Sequence, residues 1–300
     1  MDINYELYKV FYHVATTLSF SEASKRLYIS QSAVSQSIKS LEKKLGQNLF
    51  NRNTKKVQLT PEGEILLNHI EPAMNFIQKG EMLLLDAAST GGQLRIGASD
   101  TICRYFLVPY IEKFHRAFPR VHIKVTNATS IHCVELLKKG QVDFIVVNSP
   151  NNYLGNIYTV QKVKEFRDVF IANEAFSELK SRKVPLKELL SYPLLMLEKN
   201  STTSEFLHNL FRKLKLDLIP EAELGSNDLL IDLARIGLGI TCVPDYCLPE
   251  PMGNLFTLDL EETFPARELV IAHNPQLPLS KAAESFLYYF DEFSFQNSSI

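Results

Sequence analysis

Apolar side chains over residues 7–45 recur at a spacing that leaves the chain few options. Leu7, Phe11, Val14 and Leu18 fall at intervals of 4, 3 and 4, one face of a helix. Val34, Ile38, Leu41 and Leu45 repeat the same intervals, and Gly46 stands where a helix C′ residue belongs. Between them Ser19-Phe20-Ser21-Glu22 opens another segment, Ser19 and Glu22 having capping-box spacing and Ser21 being an alternative cap. Phe20, Ala23 and Leu27 give that segment barely two turns, with Ala23 small enough to let a neighbouring helix approach closely. Tyr28-Ile29 is a short break, after which Ser30 can cap the third helix. Two short helices across a tight turn, the second striped on one side, form a helix-turn-helix pattern.

The outward side of the third helix indicates its use. Ser32, Ser35, Gln36 and Lys39 lie at i, i+3, i+4 and i+7, with Gln31 beside them and Lys43 and Lys44 further on. No acid precedes Glu42, whereas a solvated face would carry Glu–Lys pairs. Uncharged donors and acceptors in the first turns suit a helix whose N-terminal half meets base edges in the major groove. Gln can pair with adenine, Ser can reach bases or phosphates, and the lysines neutralise backbone phosphate. Residues 51–59 then read as a short hairpin turning near Asn53-Thr54, with Arg52, Lys55 and Lys56 around its tip. Its alternatives are a basic wing on the adjacent groove and a plain solvated turn; beside that helix the wing is favoured. The charge distribution agrees, since residues 1–60 carry nine Lys/Arg against four acids, +5, and the remainder carries −7. A basic head on an acidic body meets a polyanion with its head alone.

From Ser19 to Gly63 the chain resembles the winged helix-turn-helix of LysR-type transcriptional regulators. The matching features are SxxxASxxL at Ser19–Leu27, SQSAVSQSIKxLEKxLG at Ser30–Gly46, LFNR at Leu49–Arg52 and LTPEG at Leu59–Gly63. Glu62 departs from a position where the family often has Ala, and an acid in a first helical turn is favourable. The resemblance implies a homodimer or tetramer on a pseudo-palindromic double-stranded DNA operator with T and A at its outer positions, and RNA polymerase as a further partner.

Thr60 can cap a long helix with Pro61 at its first position. Along it Leu66, His69, Ala73, Phe76, Gly80, Leu83 and Ala87 alternate at 3 and 4, three heptads of a two-helix seam. Leu66, Ala73, Phe76 and Leu83 are its expected dimer contacts, and the family pairs this helix between subunits. Pro72 inside the repeat should kink or break it. His69 has no His or Cys one turn away, so it reads as an interface side chain, not a metal ligand. The expected domains are a DNA-binding head at 1–60, a linker helix at 61–89, and an effector domain at 92–300 after a hinge at Ser89-Thr90-Gly91-Gly92.

Beyond the hinge, strand and helix alternate: strand 93–98, helix 101–118, strand 122–127, helix 131–139 and strand 142–148, a βαβαβ unit with a parallel sheet. A further set has strands at 168–172, 194–197, 222–225 and 240–243, with helices at 203–214 and 227–237. A strand at 268–273 and a helix at 279–293 are expected to return to the first lobe. The whole resembles a two-lobed effector domain of the type 2 periplasmic-binding-protein kind, with lobe I at 92–165 and 267–300 and lobe II at 166–266. Gly237-Leu238-Gly239-Ile240 with Pro244 resembles the family's GxGI…P turn, structural in role. The fold class is therefore mixed: an all-α winged helix-turn-helix, a long linker helix and a two-lobed α/β effector domain.

Ligands of open α/β sheets lie off the carboxyl ends of the strands, beside helix N-termini. That rule selects Ser99, Asp100 and Thr101 after the first strand, Thr129 and Ser130 after the second, and Asn148 closing the third. Across the cleft it selects Asn200, Ser201, Thr202 and Asn227. Each hydroxyl could instead be merely an N-cap, the commoner role. Arg104 and Lys199 would suit a carboxylate or other small anion, whereas Asp100 and Glu198 argue the other way, so the effector's charge stays open.

Other classes are excluded or subordinate. At 300 residues with 45% apolar and 22% charged content, the chain is an ordinary folded protein of two or three domains, neither collagen-like nor disordered. Its first residues lack the basic-then-apolar pattern of a signal peptide, and no apolar run approaches a membrane span, so a cytoplasmic location and no membrane partner are expected. Cys103, Cys133, Cys242 and Cys247 have no CxxC spacing, which excludes a disulfide framework and a zinc site. A thiol sensor using Cys103, within the first helical turn after Ser99, is the alternative regulator. An enzyme is less favoured: GxSxG, HExxH, the P-loop and a strand-following GxGxxG are missing, the seven histidines do not cluster, and neither cofactor nor metal is expected.

Overall fold

A computed structural model describes residues 3–51, 56–86 and 92–296. It divides into one unit of Met1–Ala88 with Lys139–Gln141 and a second of Ser89–Lys138 with Val142–Ile300. In the first, helices α1 (Tyr5–Thr17), α2 (Phe20–Leu27) and α3 (Gln31–Leu45) precede the antiparallel pair β1 (Phe50–Asn51) and β2 (Gln58–Leu59), then helix α4 (Pro61–Asp86). The caps act as the sequence requires: Ser19 Oγ accepts from the Glu22 amide and Ser30 Oγ from the Ala33 amide, both at 3.2 Å. Gly46 ends α3 at φ 70°. Phe11, Val14, Ala23, Val34, Ile38 and Leu41 are fully buried together and form the core of this unit.

Leu18 departs from the expected stripe. It caps α1 in the left-handed region at φ 48° and is 48% exposed. The chain must turn there because Ser19 has to become extended, φ −150°, to cap α2. The reciprocal half of the capping box is also replaced, since the Ser19 amide donates to Thr17 Oγ1. The hairpin turn at Asn53-Thr54 and the hinge residues Ser89, Thr90 and Gly91 lie outside the described residues.

Helix α4 runs through Pro72 without ending there. Thr60 Oγ1 accepts from the Gly63 amide at 3.0 Å and donates to Asn48 O at 2.7 Å, while the Thr60 amide donates to Leu49 O. This pulls the first turn of α4 onto Leu49. A Cβ on Gly63 would lie 2.2 Å from Leu49 O, so the LTPEG glycine is there for close backbone approach. Leu66, Leu67 and Ile70 pack against the core of this unit.

The second unit contains two five-stranded sheets of matching design. The first takes β3 (Gln93–Ala98), β4 (His122–Asn127), β5 (Phe144–Ser149), β6 (Thr159–Phe166) and, from the far end of the chain, β14 (Arg267–His273). Its order is β4-β3-β5-β14-β6, with β3, β4 and β5 parallel and β14 antiparallel to both neighbours. The second takes β7 (Asp168–Asn173), β9 (Leu194–Leu197), β10 (Ala222–Leu224), β11 (Ile240–Pro244) and β12 (Leu255–Thr257), in the order β10-β9-β11-β7-β12. There β10, β9 and β11 are parallel and β7 is antiparallel to β11 and β12. A two-residue pair joins β8 (Lys183–Val184) to β13 (Asp259–Leu260).

Helices cover the sheets: α5 (Asp100–Ile102), a π turn (Cys103–Leu107), α6 (Val108–Ala117), α7 (Ser130–Lys138) and α11 (Lys281–Gln296) in the first lobe, and α8 (Leu186–Leu189), α9 (Thr202–Lys213) and α10 (Asn227–Arg235) in the second. The period of two along the strands sorts side chains between faces. Phe144 and Val146 join one cluster with Phe286, whereas Ile145 and Val147 join another with Leu137. The sequence reading did not anticipate the strands β6 and β12, the short helix α8, the β8–β13 pair, or the π turn inside what reads as a single helix.

The chain crosses between the sheets at Arg167, between β6 and β7, and again ahead of β14. Asp168 and Arg267, the first residues of β7 and β14, form a fully buried ion pair there at 2.8 Å. Arg267 also donates to Thr203 Oγ1 at 3.1 Å and lies over the Phe166 and Phe206 rings at 5.2 and 4.7 Å.

Gly63→Ala is expected to push α4 off Leu49 and cost about 1–3 kcal/mol, the scale of an overpacked methyl with backbone displacement. Urea unfolding followed on the head should lose that amount while the transition of the second unit stays in place.

Candidate DNA-binding face and effector cleft

On α3 the residues facing away from the core are those that sequence selects. Gln31, Ser32, Gln36, Lys39, Lys43 and Lys44 are exposed and Ser35 is half-buried. Ser32 Oγ lies 2.9 Å from Ser30 Oγ, which ties it to the cap. Lys56 is exposed just before β2; Arg52 and Lys55 lie outside the described residues. Sequence reasoning passed over Glu42. Its carboxylate is buried and Oε1 accepts from the Leu49 amide at 2.9 Å and the Phe50 amide at 3.4 Å, anchoring the hairpin to the recognition helix.

The expected seam on α4 divides. Leu66 is half-buried against the head core, Phe76 is half-buried, Ala73 and His69 are exposed, and the side chain of Leu83 lies outside the described set, as does Ala87. The large apolar side chains that do face outward are Ile65, Ile77 and Leu84, at 63%, 57% and 77% exposure. Ile65 precedes Leu66 by one residue while Ile77 and Leu84 follow Phe76 and Leu83 by one, and Leu66 packs against the head core.

In the second unit the carboxyl ends of β3, β4 and β5 and those of β9, β10 and β11 border one cavity of about 260 Å³. All ten positions selected from sequence line it: Ser99, Asp100, Thr101, Thr129, Ser130, Asn148, Asn200, Ser201, Thr202 and Asn227. Glu198, Asn127, Thr203, Leu197, Leu224, Ser226, Pro244 and Tyr246 complete much of the wall. Several hydroxyls also cap helices. Ser99 Oγ accepts from the Ile102 amide, Thr129 Oγ1 from the His132 amide and Ser201 Oγ from the Ser204 amide, at 3.1–3.3 Å. Ser130 Oγ accepts from the Asn148 amide at 3.2 Å. Each such hydroxyl keeps its own hydrogen for another acceptor.

Bonds cross the cleft. Asn227 Nδ2 donates to Thr101 Oγ1 at 3.0 Å, with both residues buried. Tyr105 OH, carried by the π turn, donates to Asp228 Oδ1 at 2.6 Å, and Tyr153 OH donates to Glu205 Oε1 at 2.8 Å. Buried polar atoms without partners also gather here: Asn148 Oδ1, Asn227 Oδ1 and the hydroxyl of Tyr246, whose pKa burial drives well above its usual value.

Cys103 corrects an expectation. Burial, with Asp100 beside it, pushes its thiol up to about 11, so the helix start does not hold a thiolate. Its Sγ donates to Asn127 Oδ1 at 3.3 Å. Among the described residues no group of three His, Cys, Asp or Glu is placed to hold a metal, and no helix is long and apolar enough to cross a membrane.

Two family models match the chain: the bacterial regulatory helix-turn-helix of the lysR family over residues 5–64, and the LysR substrate binding domain over residues 87–294. The chain is 28% identical over 295 residues to the uncharacterized HTH-type transcriptional regulator YfeR of Shigella flexneri, covering 94% of this chain and 92% of that one. Its fold is similar to that of full-length CbnR complexed with its target DNA, with TM-score 0.66, 17% identity, and 97% and 99% of the two chains covered. It is similar also to the CcmR regulatory domain of Synechocystis PCC6803 in complex with 2-PG, with TM-score 0.61, 23% identity, and 66% and 95% covered. With one model over the helix-turn-helix and the other over more than half of the chain, the chain belongs to the LysR family of DNA-binding transcriptional regulators.

Proposed function

We propose that the outward face of α3 reads an operator in the major groove, that the cavity between the two sheets binds the small-molecule effector, and that the effector modulates operator binding or promoter activation. The observation that carries this reading is the convergence of both sheets' strand ends on one polar cavity in a chain whose α3 turns an exposed polar face away from its core. In detail, Gln31, Ser32, Ser35 and Gln36 contact bases, Lys39, Arg52, Lys55 and Lys56 contact phosphate, and the hairpin acts as the wing. Two copies pair through α4, whose outward Ile65, Ala73, Ile77 and Leu84 supply apolar area alongside the expected Phe76 and Leu83. The assembly works in the cytoplasm, meets RNA polymerase at the promoter, and carries out no catalysis. CbnR with its target DNA and CcmR with 2-PG are each similar folds engaged in one half of this activity.

A Ser35→Ala, Gln36→Ala double variant should lose preference for operator selected from random duplex yet keep salt-sensitive binding to bulk DNA; an unchanged footprint would refute the base contacts. Lys56→Ala should weaken binding to all sequences and reduce the salt slope by about 1.

Thr101→Val strands the Asn227 amide in the cleft wall, so effector response should fall while DNA retardation without effector persists. Retention of the full response in both Thr101→Val and Ser99→Ala would refute the cleft.

With its thiol near 11, Cys103 is about one part in ten thousand thiolate at pH 7. Alkylation of Cys103 should therefore be slow at neutral pH and accelerate only as pH approaches 11. Fast labelling at pH 7 would favour the thiol-sensing regulator instead.

A further inference from the structure

The charged side chains at the strand ends sort themselves into two groups. Arg104 pairs with Asp228 at 3.3 Å and Lys199 lies 3.9 Å from Glu223, and neither base lines the cavity. The acids do line it: among the described residues the wall holds Asp100 and Glu198 and no Lys, Arg or His. Gly225 stands beside one of them in the wall, Glu198 Oε1 lying 3.7 Å from where a Cβ of residue 225 would sit, an ordinary contact.

Unsatisfied acceptors add to the acids. Asn227 is 6% exposed and commits its Nδ2 to Thr101, which leaves Oδ1 buried in the wall with no partner. Asn148 Oδ1 is buried there without a partner as well. Two carboxylates and two amide oxygens are acceptors for the N–H groups of a cation. The same wall holds the first residues of α7, α9 and α10, namely Ser130, Thr202 and Asn227, where aligned peptide dipoles favour an anion. A dianion such as a phosphate ester would meet two carboxylates with no cation to offset them. A simple amine would leave the helix starts unanswered.

Resting on the cleft reading above, we infer that the effector is a small zwitterion bearing both an ammonium and a carboxylate group, an α-amino acid or a close relative. Its ammonium is received by Asp100, Glu198 and the free amide oxygens. Its carboxylate is received by the hydroxyls and amides at the helix starts. The cavity of about 260 Å³ is of a size for such a molecule and small for a drug-sized ligand.

The test is the thermal unfolding midpoint of the full chain with three matched probe sets: the common L-amino acids, the 2-hydroxy acids that replace the ammonium by a hydroxyl, and the amines that lack the carboxylate. At least one amino acid should raise the midpoint, and its hydroxy-acid and amine counterparts should not. Glu198→Gln keeps the size and should weaken that amino acid by about ten- to a hundredfold, the loss of a charge-assisted hydrogen bond. Its unliganded midpoint reports whether the fold is intact. Binding of a hydroxy acid or of 2-PG as tight as any amino acid, no shift with any amino acid, or undiminished binding in both Glu198→Gln and Asp100→Asn would overturn the zwitterion. Gly225→Phe, which fills the cavity beside Glu198, tests the site separately. A ligand shift that persists in it overturns the cleft reading itself; a hydroxy-acid shift abolished by it overturns the zwitterion alone.

Discussion

The pairing of Arg267 with Asp168 holds the sensor unit in its arrangement. Each residue begins a strand just after the chain has crossed from one sheet to the other, and both side chains are fully withdrawn from water. Burial draws the Asp168 carboxyl towards its neutral form and the guanidinium at 2.8 Å opposes it. Removing either partner strands the other at a cost of about 3–5 kcal/mol, so both crossings are held together. The guanidinium also lies over Phe206 of α9 and donates to Thr203, a residue of the cavity wall. One buried contact therefore sets the two crossings and the first turn of α9 that faces the ligand space.

That space is shaped by groups with two tasks. Ser99, Thr129 and Ser201 each accept an amide hydrogen as a helix cap and still have a hydroxyl hydrogen to give. In the proposed reading one hydroxyl serves as cap and ligand contact at once, since a capping hydroxyl is held in place by its own helix. The bonds from Thr101, Tyr105 and Tyr153 across the cleft add a constraint of another kind. Any separation of the lobes has to break them, and an occupant that replaces or reinforces them shifts the balance between arrangements by its differential contacts.

Much of this was legible from residue order, and what was not has a common reason. The helices of the head carry 4-3-4 stripes and their Ser19, Ser30 and Gly46 punctuation, all local signals. The cleft positions followed from strand ends and hydroxyls. Leu18 misled because a residue in the left-handed turn continues a helical spacing it does not occupy. Leu66 fitted a seam by count while its contacts lie in the head core. Strand β6 was missed because Lys162, Lys164 and Glu165 give it no clean alternation of apolar residues. Glu42 was passed over, since the amides that donate to it lie beyond the end of its helix. The Asp168–Arg267 and Thr101–Asn227 pairs join positions 99 and 126 residues apart, and no periodicity connects such partners.

Charge is allotted differently in the two units, and the allotment bears on what each can bind. The head holds a surplus of base while the first turns of α3 stay uncharged, so in the proposed reading affinity for phosphate and discrimination among bases are assigned to different side chains. The remainder of the chain is −7 overall and adds Asp100 and Glu198 to its cavity. A ligand with net negative charge would approach against that field and finish against those carboxylates. A zwitterion has no net charge to be repelled, and it gains from the local arrangement of acceptors and helix starts once inside. The acidity of the rest of the chain is therefore compatible with a binding site built from separated local charges of both signs.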